Sequence, residues 1–179
     1  VAAGAAQLGA RTVLIEKEKE LGGDCLHFGC VPSKTLIRTA HVYHLMKNAG
    51  KFGLPGLDVP PVHYPDVVKR IQSVIDKIQK HDSTERFCRL GARVEFGHPE
   101  FVDEHTVRLN GNNHSARYWV IATGSSPDVP PIEGLKKTPY ITNREIFYLE
   151  KLPTSIITLG GGPIAIEMAQ AFSRLGTRV

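Results

Sequence analysis

The chain has few cysteines and no long apolar run, and each shortage excludes a class of protein. Three cysteines among 179 residues do not make the paired disulfide framework of a small secreted domain. No apolar stretch approaches the roughly 18 to 20 residues that a membrane-spanning helix needs. Basic residues are scattered or alternate with acidic ones, as in residues 16–20, so no basic surface indicates nucleic-acid binding. We therefore expect a cytoplasmic protein with no membrane or nucleic-acid partner.

The rest of the composition is that of an ordinary globular protein. Hydrophobic residues make up 41% and charged residues 22%, with a net charge of +4, which suits a chain with a buried core. The sequence opens in an alanine-rich stretch without an initial methionine and ends in RLGTRV, which reads as the start of a strand. We expect the chain to be part of a longer protein.

Hydrophobic periodicity predicts alternating strands and helices, and hence an α/β fold. Apolar runs bounded by turn residues predict strands, and apolar residues at helical spacing predict helices. Asn110-Gly111 is a hairpin-turn signal. The predicted helices are residues 2–9, 30–48, 65–90 and 164–175, and the predicted strands are residues 12–16, 93–96, 106–109, 116–122 and 155–159.

A glycine-rich turn near the end of the chain predicts a dinucleotide site. In SIITLGGGPIAIE, Gly160, Gly162 and Ala165 fill the G-x-G-x-x-G/A positions between a predicted strand and a predicted helix. Glycines allow the tight turn, and the helix N-terminus offers unpaired N–H groups to a pyrophosphate. The alternative is a glycine-rich turn that binds no ligand. The residue that would select NAD or NADP lies beyond residue 179.

The first residues resemble the end of a second unit of the same type. A helix followed by the strand TVLIE ends a βαβ unit, with Glu16 placed to accept hydrogen bonds from a ribose. Taken alone, a glutamate such as Glu16 is more often a solvated carboxylate at a strand end.

Cys25 and Cys30 in GGDCLHFGCVPSK leave three possibilities open: a redox dithiol, a zinc site or a structural disulfide. In a regular helix this spacing puts the Cα atoms about 8 to 9 Å apart, too far for a disulfide, so a bridge requires residues 26–29 to leave the helix. Cys30 would begin the next helix, where the helix dipole and Lys34 favour a thiolate. A zinc site lacks a fourth ligand. Cys88 is expected to be a buried apolar side chain.

The cysteine block strongly resembles the active site of the FAD-dependent pyridine nucleotide–disulfide oxidoreductases, which include dihydrolipoamide dehydrogenase, glutathione reductase and mercuric reductase. VLIEKE, WVIATGSSPDVPPIEG and LGGGPIAIE resemble the family's FAD-ribose strand, second flavin segment and nicotinamide turn. The resemblance covers the whole chain and implies FAD and NAD or NADP as cofactors. It also implies a Rossmann-like FAD-binding domain over residues 1–150 and the start of an NAD(P)-binding domain over residues 151–179.

The resemblance implies a role for each matching residue. Cys25 would be the thiol that meets the substrate, and Cys30 the thiolate against the flavin. Lys34 would approach the reactive part of the flavin, and Glu167 would pair with Lys34. No resident metal is implied. The positions that match residues holding FAD are Glu16, Gly23, Asp24, Gly97, Ala122, Thr123 and Gly124.

Two departures from the family pattern bear on the substrate. Asp24 stands where the best-known members have Thr, and His27-Phe28 replaces the usual Asn-Val. They incline the assignment toward the mercuric-reductase-like branch, although neither residue is argued to touch a metal. The family's catalytic His–Glu pair, supplied by the other subunit of a homodimer, is not in this sequence, nor is the extra cysteine pair of true mercuric reduction.

The sequence therefore predicts an enzyme that passes electrons between NAD(P)H, FAD and a Cys25–Cys30 disulfide. The substrate would be a small disulfide, a dithiol or a metal ion. The alternatives are a non-catalytic nucleotide-binding or redox-sensing module, and a metal-trafficking dithiol.

Overall fold

The computed structural model describes all 179 residues and divides them into two compact units. Unit 1 comprises Val1–Asp24 and Lys77–Ser126, and unit 2 comprises Cys25–Asp76 and Pro127–Val179. The chain thus contributes two segments to each unit. The predicted division at residue 150 concerns whole nucleotide-binding domains and stays a prediction.

Unit 1 is built on a parallel strand pair. Strand β1 (Thr12–Glu16) pairs in parallel with β2 (Ala92–Phe96), with Thr12 opposite Ala92 and Glu16 opposite Phe96. Helix α1 (Ala2–Gln7) packs on both strands, and a later helix of the unit, Thr84–Arg89, packs on β2. The parallel pairing joins residues far apart in sequence, such as Thr12 and Ala92, as α/β folds do.

A small antiparallel sheet completes unit 1. Strand β3 (Glu100–Phe101) pairs with β4 (Thr106–Leu109), which pairs with β5 (Asn112–Ser115). The turn between β4 and β5 is the predicted Asn110-Gly111, with both residues at positive φ, 51° and 82°. These angles suit the two-residue turn that matches the strand twist, so the hairpin prediction is confirmed.

Unit 2 is helical. Helix α2 (Gly23–His27) enters it from unit 1, and helix α3 (Cys30–Lys47) packs against α6 (Pro163–Leu175). Helix α4 (Tyr64–Gln79) buries one face at helical spacing, and the Tyr64 ring lies 6.1 Å from that of Phe172. Short 3₁₀ turns occupy Ala49–Phe52 and Leu135–Lys137. The core is formed by Leu26, Leu36, Ala40, Tyr64, Val67, Ile71, Ile75, Phe147, Met168, Ala171, Phe172 and Leu175.

The single helix predicted over residues 65–90 is wrong. Helix α4 ends at Gln79, and α5 (Thr84–Arg89) begins after residues 80–83. Ser83 is extended, at φ −79° and ψ 152°, and its side chain accepts a hydrogen bond from the Arg86 amide. A serine in this position caps a new helix rather than continuing an old one. Cys88 on α5 is exposed, so its predicted burial is also wrong.

Two predicted strands do not form. Residues 116–122 are not a strand, and Tyr118, Val120 and Ile121 are 77%, 64% and 73% exposed. In residues 155–159 a single parallel bridge joins Ser155 to Arg178. A strand needs a neighbour to take its backbone hydrogen bonds, and β1 and β2 pair only with each other. No helix in the structure combines the length and apolar composition that a bilayer crossing requires.

Candidate active site

Cys25 and Cys30 lie on either side of a break between two helices. Cys25 is in α2, and Cys30 is the first residue of α3. Both side chains are exposed thiols. A bridge was expected to require residues 26–29 to leave the helix; in the structure Leu26 and His27 remain helical, and only Phe28 and Gly29 separate the two helices. The site therefore presents two accessible thiols at a sharp bend, with Cys30 at a helix N-terminus.

Lys34 lies one turn after Cys30 and is held by a carboxylate from another helix. Its ammonium donates to both Glu167 oxygens, at 2.7 and 2.5 Å. The two side chains are 59% and 39% exposed. The Lys34–Glu167 contact that the resemblance implies is therefore present. It fixes the lysine head group on the same side of α3 as Cys30, since residues four apart share a helix face.

Glu16 ends the parallel strand β1 in unit 1. Its side-chain Oε1 accepts a hydrogen bond from the Glu18 amide at 2.9 Å, and its carbonyl accepts from the Gly97 amide at 2.9 Å. The carboxylate thus stands at the carboxyl edge of the parallel strands, where ligands bind in open α/β sheets.

Gly97 has a packing reason to be glycine. It has φ +150°, and a Cβ there would lie 2.6 Å from Asn110 Oδ1 and 2.8 Å from Leu109 Cδ1. Asn110 also donates to the Phe96 carbonyl at 2.8 Å. Contact with the β4–β5 hairpin therefore accounts for Gly97 without any ligand.

Asp24 forms a hydrogen bond to residues 119–134, the segment that resembles the family's second flavin segment. Its Oδ2 accepts a hydrogen bond from the Ser125 amide at 3.1 Å. Gly124 has φ +70°, and a Cβ there would lie 2.5 Å from the same oxygen. Ala122 and Thr123 precede this turn and are exposed. The sequence indicates these residues one by one as FAD contacts, but it does not predict that Asp24 holds the turn.

The glycine turn before α6 is open. Gly160 has φ +109°, and Gly162 is the N-cap residue of α6, with no side-chain cap. A Cβ on Gly160, Gly161 or Gly162 would meet no atom within 4 Å. Ala165 lies in the first turn of the helix. The uncapped N–H groups and the open space beside them fit a pyrophosphate.

The donors of unit 1 likewise fit a flavin nucleotide. Glu16 has a carboxylate of the kind that accepts hydrogen bonds from ribose hydroxyls, and Gly23, with φ +59°, has open space beside its Cα. Backbone amides near Gly124 and the Asp24 carboxylate add polar groups at an exposed turn. These are the donor and acceptor types that a dinucleotide needs.

Sequence reasoning missed three residues that contact the bend between the cysteines. Asn143, Arg144 and Tyr148 touch His27 or Phe28. The sequence does contain one signal for an ordered turn here, the capping-box spacing T-x-x-E in TNRE at residues 142–145. Hydrogen bonds from the Thr142 hydroxyl and the Thr142 amide hold the pKa of Glu145 below its usual range.

Comparison with known proteins gives a consistent result. The model of the family described as pyridine nucleotide-disulphide oxidoreductase matches residues 1–179. A mercuric reductase of Bacillus cereus is 34% identical over 98% of this chain and 27% of its own length. A dihydrolipoyl dehydrogenase of Acholeplasma laidlawii is 34% identical over 98% of this chain and 53% of its own length. The chain therefore spans about a quarter to a half of these relatives.

The solved structures agree with the sequence relatives. The HOCl-induced flavoprotein disulfide reductase RclA from Escherichia coli superposes with a TM-score of 0.82 at 27% identity, covering 98% of this chain and 37% of that one. A Cu(II) complex of the same reductase superposes with a TM-score of 0.81. The predicted α/β fold of the Rossmann type is confirmed.

Proposed function

The chain belongs to the pyridine nucleotide-disulphide oxidoreductase family, whose members use FAD and NAD(P)H, and we propose that it carries the dithiol of a flavoprotein disulfide oxidoreductase. In the proposed reaction NAD(P)H is oxidised and a Cys25–Cys30 disulfide takes up two electrons and two protons. FAD, when bound, supplies the chemistry that links these two couples. The dithiol then reduces a small disulfide or a metal ion, and a dithiol substrate would run the reaction in reverse.

One observation carries the proposal: an exposed dithiol at the bend before α3 is followed by a lysine fixed by Glu167. An exposed ion pair contributes only about 0 to 1 kcal/mol to stability, so stability does not explain why Lys34 is held by both carboxylate oxygens. A positioned cation is what a site that handles thiolates and anionic ring systems needs.

Each residue of the dithiol site has a role in the proposal. The Cys25 thiolate attacks one sulfur of the substrate disulfide, which breaks the substrate S–S bond, forms a mixed disulfide and releases the other sulfur as the first thiol. The Cys30 thiolate then attacks Cys25, which restores the protein disulfide and releases the substrate as a thiol. Lys34 stabilises negative charge near Cys30, and Glu167 positions Lys34.

The nucleotide contacts are proposed from the open turns of the structure. Gly160, Gly162 and Ala165 would hold the NAD(P) pyrophosphate at the start of α6. FAD would be held by Glu16, Gly23, Asp24, Ala122, Thr123 and Gly124. Gly97, whose lack of a side chain also permits the hairpin contact, would lie with them.

The substrate and assembly are proposed from the relatives. Similarity to mercuric reductases and to a disulfide reductase with a Cu(II) complex supports a metal ion or a disulfide as substrate. The family resemblance supports a homodimer with residues 1–150 as the FAD domain. Exposed thiols that must return to the reduced state suit a cytoplasmic location.

A thiol count under anaerobic conditions tests the proposal. Oxidised flavin-loaded protein should gain alkylatable thiols at both Cys25 and Cys30 when NADH or NADPH is added. Glu167→Gln should slow that gain, whereas Glu150→Gln, at an exposed carboxylate elsewhere in unit 2, should not. Flavin reduction without any gain of thiols would mean a nucleotide-binding module with no coupled dithiol.

A further inference from the structure

The bend between the two cysteines is contacted by a second segment of unit 2, residues 142–148, here named the clasp. Asn143 Nδ2 donates a hydrogen bond to the Phe28 carbonyl at 3.1 Å. Tyr148 Oη donates to the His27 carbonyl, also at 3.1 Å. The two peptide carbonyls at the break between α2 and α3 are therefore both fixed from outside the bend.

The Phe28 side chain is held as well. The Arg144 guanidinium lies 4.6 Å from the centre of the Phe28 ring, within the range of a cation–π contact. The Tyr148 ring lies 6.4 Å from Phe28 in a tilted arrangement. Phe28 is one of the two residues that separate the helices, so this contact acts on the bend itself.

The clasp is itself well anchored. Phe147 is only 2% exposed and belongs to the core of unit 2. Glu145 Oε2 accepts hydrogen bonds from the Thr142 amide and the Thr142 hydroxyl, each at 2.7 Å. The Ile146 amide donates to the Thr142 carbonyl at 3.1 Å. A segment with a buried anchor and a capped turn can hold another loop in place.

We propose that the clasp positions the two thiols and thereby sets the reduction potential of the Cys25–Cys30 pair. The inference rests on the proposed function, because it assumes that this pair forms a disulfide. A disulfide needs Cα atoms within about 7 Å, and ordering the chain between two cysteines costs conformational entropy. A bend already ordered in the dithiol lowers that cost, so the clasp favours the disulfide. Asn143, Arg144 and Tyr148 are positioning residues and touch no reacting atom.

The equilibrium with glutathione measures this effect. Oxidation of the two thiols by glutathione disulfide gives the protein disulfide and two molecules of glutathione, so atoms and electrons balance. Alkylation and peptide mass spectrometry of the complete, flavin-loaded protein separate Cys25 and Cys30 from Cys88. Tyr148→Phe removes only the hydroxyl that holds the His27 carbonyl. Tyr140→Phe is the matched control, because Tyr140 is 44% exposed and Tyr148 40%.

We expect the equilibrium constant for disulfide formation to fall about threefold in Tyr148→Phe and about tenfold when Asn143→Ala is added, as the loss of one and two hydrogen bonds suggests. The tenfold change is about 30 mV for a two-electron couple. Arg144→Gln should lower the equilibrium constant, and Arg144→Lys, which keeps a cation near the Phe28 ring, should lower it less. Tyr140→Phe should leave it unchanged.

Two results would count against the clasp. An unchanged or increased constant in the double variant, with an unchanged melting temperature, would overturn the positioning role while leaving the proposed function standing. A wild-type protein that forms no Cys25–Cys30 disulfide at any glutathione ratio would overturn the proposed function and the clasp together.

Discussion

Tyr64 is a buried tyrosine whose hydroxyl has no hydrogen-bond partner. The residue is 2% exposed, and its Oη is an unpaired buried atom. The ring packs near Phe172 in the core of unit 2. The ring therefore stabilises the unit, whereas the buried hydroxyl costs free energy.

Tyr64→Phe should raise the free energy of unfolding by about 1 kcal/mol, because it removes an unpaired buried polar atom and keeps the ring. Urea unfolding measures the change. Tyr43→Phe is the control, since Tyr43 Oη donates to the Pro60 carbonyl at 3.0 Å and its loss should not stabilise the protein. A lower free energy of unfolding in Tyr64→Phe would contradict this account, because it would show that the hydroxyl stabilises the core.

The same residue predicts how stability changes at alkaline pH. Burial raises the pKa of Tyr64 from its ordinary 10.0 to about 12, so the fold favours the neutral phenol. The effect of Tyr64 on the free energy of unfolding is therefore constant below pH 10. As the pH rises from about 10 to about 12, the unfolded state loses the phenol proton first, and the free energy of unfolding falls. Melting temperatures of the wild type should fall more steeply over this range than those of Tyr64→Phe. Parallel pH profiles would contradict the assignment.

At the scale of single residues, the family resemblance predicted one contact of the site, Lys34–Glu167, and missed others. The cysteine pair, Lys34 and Glu167 could all be named from the family resemblance. The Asp24–Ser125 hydrogen bond joins residues 101 apart, and the Asn143–Phe28 bond joins residues 115 apart. Contacts at such distances depend on tertiary packing, which no local pattern encodes.

Among the elements, two of the longer helices were predicted well because their own periodicity defines them. Helices α3 and α6 begin and end close to the predicted residues, and the buried face of α4 follows its apolar spacing. Residues 116–122 and 155–159 have strand-like composition but lack a paired neighbour over their length. Strand formation depends on the partner, so composition alone overestimates it.

The boundary between α4 and α5 gives a prediction at this scale. Ser83→Ala should lower the free energy of unfolding by about 1 kcal/mol, because the Ser83 side chain caps α5 at the Arg86 amide, 3.3 Å away. Chemical denaturation measures the loss. Ser73→Ala, on the exposed side of α4, is the control and should change stability by less than about 0.5 kcal/mol. Equal effects of the two substitutions would contradict the capping role.

For the whole molecule, the order of motifs along the chain carried more information than any one of them. A strand ending in Glu16, a spaced cysteine pair and a glycine turn before α6 each have an ordinary structural explanation. Their order matches one family over residues 1–179. The interleaved composition of the two units could not be read from the sequence, because it depends on long-range packing.

We propose above all that Cys30 is the thiol that contacts the bound flavin and that Cys25 is the thiol that reacts with the substrate. The most direct test is an anaerobic visible spectrum of the flavin-loaded protein, reduced with NADH and then NADPH, in the wild type, Cys25→Ser and Cys30→Ser. We predict a long-wavelength thiolate–flavin charge-transfer band in the wild type and in Cys25→Ser, and none in Cys30→Ser. A Cys30→Ser protein that keeps the band would contradict the account.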